Sequence, residues 1–267
     1  MSFANFKLNY IFNRLIMFIL LAVSTSSFAV SLGTYRIYLD RQHRDYDFII
    51  SNRDPVPQNC KLNLTHYNMD KNGTPQLVEG DVLPDNSAVN LLRYSPRNFS
   101  IDPQGRQTVR FRMRNQSGVE KKEYRSYLEV NCQMVEDKTE IIDGKLNSQV
   151  AGISLTPQLV HQVPIIVRPF NLDIQVEITD INVDLNNDTV TFAVKRSGER
   201  SIFFDIELIN KNNNTRIALK KNGKIYPENN EKVLTLRAKG IPSEDLLIRL
   251  TEDKRTGGDL ILEKSVK

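Results

Sequence analysis

From Val30 to the C-terminus the apolar residues recur at every second position, and no stretch of 12 residues carries a helical stripe. Val109, Phe111 and Met113 alternate with Arg110, Arg112 and Arg114, and Val190, Phe192 and Val194 alternate with Thr191, Ala193 and Lys195. The same pattern sets Tyr35, Ile37 and Leu39 against Thr34, Arg36 and Tyr38, and Ile174, Val176 and Ile178 against Gln175, Glu177 and Thr179. Successive side chains of a strand point to opposite faces, so this alternation predicts antiparallel sheets with one face in a core and one in water. Turn residues separate the runs at 51–55, Lys71-Asn72-Gly73, Asp102-Pro103-Gln104-Gly105, Asn186-Asn187-Asp188 and Thr256-Gly257-Gly258. Short strands punctuated this regularly predict an all-β chain built of sandwiches.

Upstream of the alternation, Lys7 and Arg14 precede nine apolar residues, Leu15 to Val23, and then Ser27 and Ala29 offer small side chains at −3 and −1 of a cleavage site after Ala29. The apolar run is less than half of the roughly 20 residues that span a bilayer, so residues 1–29 read as a removable signal peptide and the mature protein as exported. Loss of Lys7 and Arg14 takes the formal net charge from +4 to +2, which gives no support to nucleic-acid or membrane binding. The 238 residues left suit two ordinary domains. Pro169 cannot donate to a ladder and follows the apolar run Val163 to Val167, so the boundary is expected there, with domains at 30–168 and 169–267. Cys60 and Cys132 are the two cysteines, and an oxidising compartment favours a disulfide between them, with two separate buried thiols as the other arrangement. A loop of that length would stabilise the fold by about 4 kcal/mol.

Four separated motifs resemble the PapD-like periplasmic chaperones of the chaperone/usher pathway. They are Ala29-Val30-Ser31-Leu32 with Tyr35-Arg36-Ile37 and Ile49-Ile50-Ser51-Asn52; the run 95–103 leading into Gln107-Thr108-Val109-Arg110; Glu123-Tyr124-Arg125-Ser126-Tyr127-Leu128; and 163–169, ending in Arg168-Pro169. In the second half, the run 195–201 is similar to the archaic or alternative branch of that family. The resemblance covers nearly all of the mature chain. It implies two immunoglobulin-like domains in a boomerang arrangement, residence in the periplasm, fimbrial (pilus) subunits as clients and an outer-membrane usher as the receiving partner. It also places Cys60 at the start of strand C and Cys132 at the end of strand F, antiparallel neighbours that a disulfide can join.

The mechanism implied is donor-strand complementation, in which an edge strand is lent to a subunit that lacks its last strand. The candidate is the segment 153–163, with Ile153, Leu155, Pro157, Leu159, His161 and Val163 in phase on one face; periodicity by itself favours an ordinary core strand of the first domain, and the resemblance reverses that. The polar stretch 136–152 reads as a loop leading into it. Arg36 matches the family's anchor for the subunit's C-terminal carboxylate. The lysine that supplies a second anchor in the best-known branch is replaced here by Pro164, and Arg125 is the expected substitute. Arg125 also stands where that branch has an acidic member of its interdomain ion network, which leaves Arg168 and Asp253 as the matching interdomain pair.

No catalytic constellation surrounds His43, His66 or His161, and no nucleophile elbow, phosphate loop or recognisable carboxylate pair is present, so an enzyme is not expected and no cofactor is implied. Metal binding by the cysteines with His66 would need closer ligand spacing. The competing reading is a secreted adhesin or structural surface protein of two sandwich domains. The unpaired edge of a lent strand also allows the free protein to cap itself as a homodimer.

Overall fold

The computed structural model describes residues 30–70, 73–80, 82–115, 118–135, 159–184, 186–238 and 242–266. The expected signal peptide, the stretch 136–152 and the donor-strand candidates Ile153, Leu155 and Pro157 lie outside them. The first half contributes β1 (Val30–Leu32), β2 (Ile37–Asp40), β3 (Asp45–Asn52), β4 (Gln58–Thr65), β5 (Tyr67–Met69), β6 (Pro75–Leu77), β7 (Leu92–Ser95), β8 (Asn98–Ile101), β9 (Arg106–Met113), β10 (Tyr124–Met134) and β11 (Leu159–Arg168). The second contributes β12 (Ile174–Asp184), β13 (Thr189–Gly198), β14 (Ile202–Asn210), β15 (Thr215–Ile225), β16 (Glu231–Arg237), β17 (Leu246–Glu252) and β18 (Ile261–Ser265).

These strands form two sandwiches in series, and the protein is all-β. In the first, the sheet β1-β3-β9-β7 faces the sheet β2-β11-β10-β4-β8, and a short β5-β6 hairpin stands beside them. The chain leaves the first sheet after Leu32 and joins the other at Ile37, so β1 and β2 tie the two layers together in the immunoglobulin manner. In the second, β12-β13-β16 faces β15-β14-β17-β18.

Alternation explains most of the burial. On β9, Val109, Phe111 and Met113 point inward while Arg110 and Arg112 stay in water. Phe111 stacks on Tyr94 and meets Phe48 edge-on, at centroid separations of 5.4 and 6.4 Å. Val190, Phe192 and Val194 occupy the second core with Ile206, Leu208, Ile248 and Leu250. Tyr35, expected on the inward face with Ile37 and Leu39, is instead half exposed, because it precedes β2 and reaches toward the second sandwich.

Cys60 and Cys132 face each other in the antiparallel pair β4 and β10 and form a disulfide that spans 72 residues of sequence. Bridging consumes both thiols and excludes the metal arrangement with His66. His66 is itself buried between the Arg125 carbonyl and the Asn68 side chain, at 3.0 and 3.2 Å. Replacing both cysteines by serine is expected to lower unfolding stability by about 4 kcal/mol, as read from chemical denaturation, because the bridge restricts the unfolded chain over a long loop.

Candidate functional site

At the junction, the runs 124–128 in β10, 165–168 in β11 and 202–204 in β14 break the alternation and are buried on both faces. One face of each packs in its own sandwich. The other meets the opposite sandwich, where Tyr67, Met69, Tyr127 and Ile166 gather against Phe203 and Tyr226. The rings pair edge-on, Tyr67 with Tyr127 at 4.9 Å and Phe203 with Tyr226 at 5.9 Å.

A buried ion pair of the first sandwich reaches across this junction through its hydrogen bonds. Arg168 donates from Nε to Glu123 at 2.9 Å, from Nη1 to the Thr256 carbonyl at 2.8 Å and from Nη2 to the Ser201 carbonyl at 2.9 Å. Glu123 in turn accepts from the Ser201 hydroxyl at 2.6 Å and from its backbone N–H at 3.1 Å. Burial pulls the Arg168 guanidinium down, but Glu123 and Tyr38 outweigh it and hold it above the ordinary arginine value. The motif at 195–201 is accounted for by this arrangement. Ser201 is the second sandwich's ligand for Glu123, and Arg196 donates to the Tyr226 carbonyl at 3.1 Å. Gly198 sits at φ 114°, where a Cβ would strike the Asp173 carbonyl.

The expected Arg168–Asp253 pair is therefore not formed. Both residues do lie at the junction, but Asp253 caps the short turn Lys254–Thr256 and takes two bonds of 2.9 Å from Arg255, with Arg36 at 3.8 Å. Arg255 reaches back to the Tyr35 hydroxyl at 3.1 Å, and that hydroxyl donates to Asn222 at 3.0 Å. The acid that Arg168 meets is Glu123, two residues before Arg125 and just ahead of β10.

Arg125 is not free to serve as an anchor. Its side chain is 2% exposed and its Nη2 donates to Glu228 at 2.6 Å, while the same carboxylate takes Asn86 at 3.3 Å. Burial lowers Arg125, but the hydrogen bond and charge of Glu228 prevail and raise it. For Glu228 the result is the reverse: burial works to raise its pKa, and Arg125 holds it below the ordinary glutamate value.

Arg36 differs. Its guanidinium lies 3.8 Å from the Phe203 ring centre and its side chain is 9% exposed. The buried Nε has no hydrogen-bond partner. Burial, offset only in part by Tyr226 and Asp253, holds it below the ordinary arginine value. The cation is thus short of negative charge.

The strand beside it has an open edge. β11 pairs with β10 along its length, from Cys132 opposite Leu159 to Tyr124 opposite Val167, but β2 covers its other edge only from Ile165 to Arg168. Among the described residues no strand pairs with the far edge of 159–164. Leu159 and Val160 are exposed there, and His161 is half-buried with its Nε2 unpartnered. Val163, placed by its phase among the donor residues, faces the first sandwich's own core, because Val163, Ile165 and Val167 share one side of the strand.

Glu123 and Ser201 entered the sequence analysis only as members of motifs, without a role, and Phe203, Tyr226 and Glu228 escaped it. The signal for Phe203 was present in Ile202-Phe203-Phe204, since three consecutive apolar residues in an alternating strand imply cover on both faces.

Comparison with solved structures returns pilus chaperones: the CupB2 chaperone of Pseudomonas aeruginosa (13% identity, 88% of this chain and 100% of that chain, TM-score 0.46) and the SafB chaperone of Salmonella enterica in complex with SafA pilin (13%, 91% and 99%, 0.47). The CsuC chaperone of Acinetobacter baumannii, complexed with the CsuE tip subunit, matches at 8% identity over 89% of this chain and 98% of that chain, with a TM-score of 0.44. No family model and no curated protein matches the chain.

Two outcomes are expected of the junction. Glu123→Ala leaves Arg168 buried without a carboxylate and should cost about 3–5 kcal/mol in urea unfolding, whereas the paired change Glu123→Gln with Arg168→Met should cost less. Acid should also destabilise the fold. Burial, then the charge of Arg125, holds the His66 pKa below 6.5, so below that pH the unfolded chain binds more protons than the native one and stability falls. Unfolding midpoints at pH 7 and pH 5 should differ, and His66→Gln should narrow the difference.

Proposed function

We propose that this chain is a PapD-like periplasmic chaperone of the archaic or alternative branch, with domains at 30–168 and 169–267, that holds fimbrial subunits by donor-strand complementation and passes them to an outer-membrane usher. The observation that carries the reading is the open edge of 159–164 ending at Arg36. β2 runs parallel to β11, with Ile37 opposite Ile165. A guest strand that continues the line of β2 backward along 159–164 also runs parallel to β11, so its C-terminus arrives where β2 begins. There Arg36 presents an undercompensated guanidinium, and a carboxylate supplies the missing charge.

The chemistry of the client follows. A subunit without its last strand exposes an apolar groove that invites aggregation, and a borrowed strand offers both ladder hydrogen bonds and apolar side chains to fill it. Leu159 and Val160 are the exposed apolar residues on the described part of the edge. Pro164 donates no ladder bond, so the guest backbone is held there by acceptor contacts and by Arg36. The same edge would let two free copies cap one another. An adhesin has no evident use for an open edge that ends at a cation.

The test is co-expression with fimbrial subunits in the periplasm, comparing wild type, Arg36→Ala and Leu159→Asp. Wild type should yield a soluble one-to-one complex, and each variant, still folded, should recover at least about tenfold less subunit, the scale of a lost charged hydrogen bond. Equal recovery with all three proteins overturns the mechanism.

A further inference from the structure

We infer that Lys224, on the second sandwich, is the second cation of the carboxylate seat, in place of Arg125; the inference rests on the reading that Arg36 receives the C-terminal carboxylate of a guest strand. Lys224 lies directly across the β14–β15 ladder from Phe203, the residue whose ring carries the Arg36 guanidinium. Its ammonium is 5.7 Å from the centre of the Tyr226 ring, and Phe203 and Tyr226 touch edge-on. Two adjoining rings therefore hold Arg36 and Lys224 at one place, each reaching it from a different sandwich.

The cations at the junction divide by whether a carboxylate already serves them. Arg168 has Glu123 and Arg125 has Glu228, each through a bond under 3 Å. Asp253, the acid nearest Arg36, is committed to a two-point contact with Arg255. Lys224 is exposed, and the charges that act on it, Arg36, Lys232 and Arg125, are all positive. Partial desolvation and these neighbours lower its pKa, as burial lowers that of Arg36. Like charges gathered against apolar rings repel one another, and an anion placed between Arg36 and Lys224 relieves both. The buried Nε of Arg36, without a partner, is a further donor left for such a ligand.

Seating the carboxylate between a residue of each sandwich has a consequence for recognition. Binding reads both the end of the guest strand and the relative position of the sandwiches, which the Glu123–Arg168–Ser201 contacts set. A chain end, not an internal acid, is selected, because only a terminus can enter where β2 closes the edge at Ile37.

The test uses the mature chain and a synthetic 12-residue peptide of alternating valine and threonine ending in phenylalanine, made with a free C-terminal carboxylate or with a carboxamide, and titrated by fluorescence anisotropy. Wild type should prefer the carboxylate about tenfold or more. Lys224→Met should cut that preference several-fold with the amide's affinity unchanged, and Lys224→Arg should retain it. Since Lys224 is exposed, these variants should fold. An unchanged preference in Lys224→Met, or equal weakening of both peptides, overturns the role of Lys224. A wild type that does not distinguish the peptides, or binds neither, overturns the anchor reading beneath it.

Discussion

Glu123 and Arg168 are both almost wholly buried, and neither charge could remain there without the other. Their remaining hydrogen-bonding capacity is met by Ser201 and by the carbonyls of Ser201 and Thr256, all from the other sandwich. The two sandwiches consequently meet in a specific orientation, since sliding one over the other would strand a charge in an apolar junction. Gly257, at φ 70°, lets its turn approach so closely that a Cβ would strike Tyr38, whose ring lies under the Arg168 guanidinium. The aromatic cluster at the junction and the cations beside it are placed around this contact.

Within that frame, negative charge is distributed unequally. Arg125 and Arg168, both buried in the junction, have carboxylate partners and help hold it together. Arg36, with Asp253 no nearer than 3.8 Å, and Lys224 lie against the Phe203 and Tyr226 rings. An aromatic face attracts a cation but does not cancel its charge, so the side chain is positioned while its capacity to bind an anion is kept. On the proposed function, the same residue type thus serves structure at 125 and 168 and recognition at 36.

The open edge has a related origin. β1 and β2 divide one length of chain between two sheets, and among the described residues the crossing from Leu32 to Ile37 leaves 159–164 of β11 unpaired on one side. An unpaired edge with exposed Leu159 and Val160 is a liability in an ordinary sandwich. Here it ends beside Arg36, and on the proposed function the liability becomes a binding surface.

Alternation determined the all-β class, the inward rows of β9 and β13, and the two cores, because strand periodicity is local and survives without knowledge of partners. The two cysteines and the exported context were enough to expect a disulfide, and Arg36 was marked by the motif around it. Pairings across the junction were decided by tertiary structure. Arg125, Arg168 and Asp253 were legible as charged residues of interest, but which acid meets which base depends on the approach of strands far apart in sequence: Glu123 took Arg168, Glu228 took Arg125, and Arg255 took Asp253. Val163 is in phase with Leu159, yet one lies in the core and the other in water, because periodicity reports the face of a strand and not where along that strand the sandwich ends.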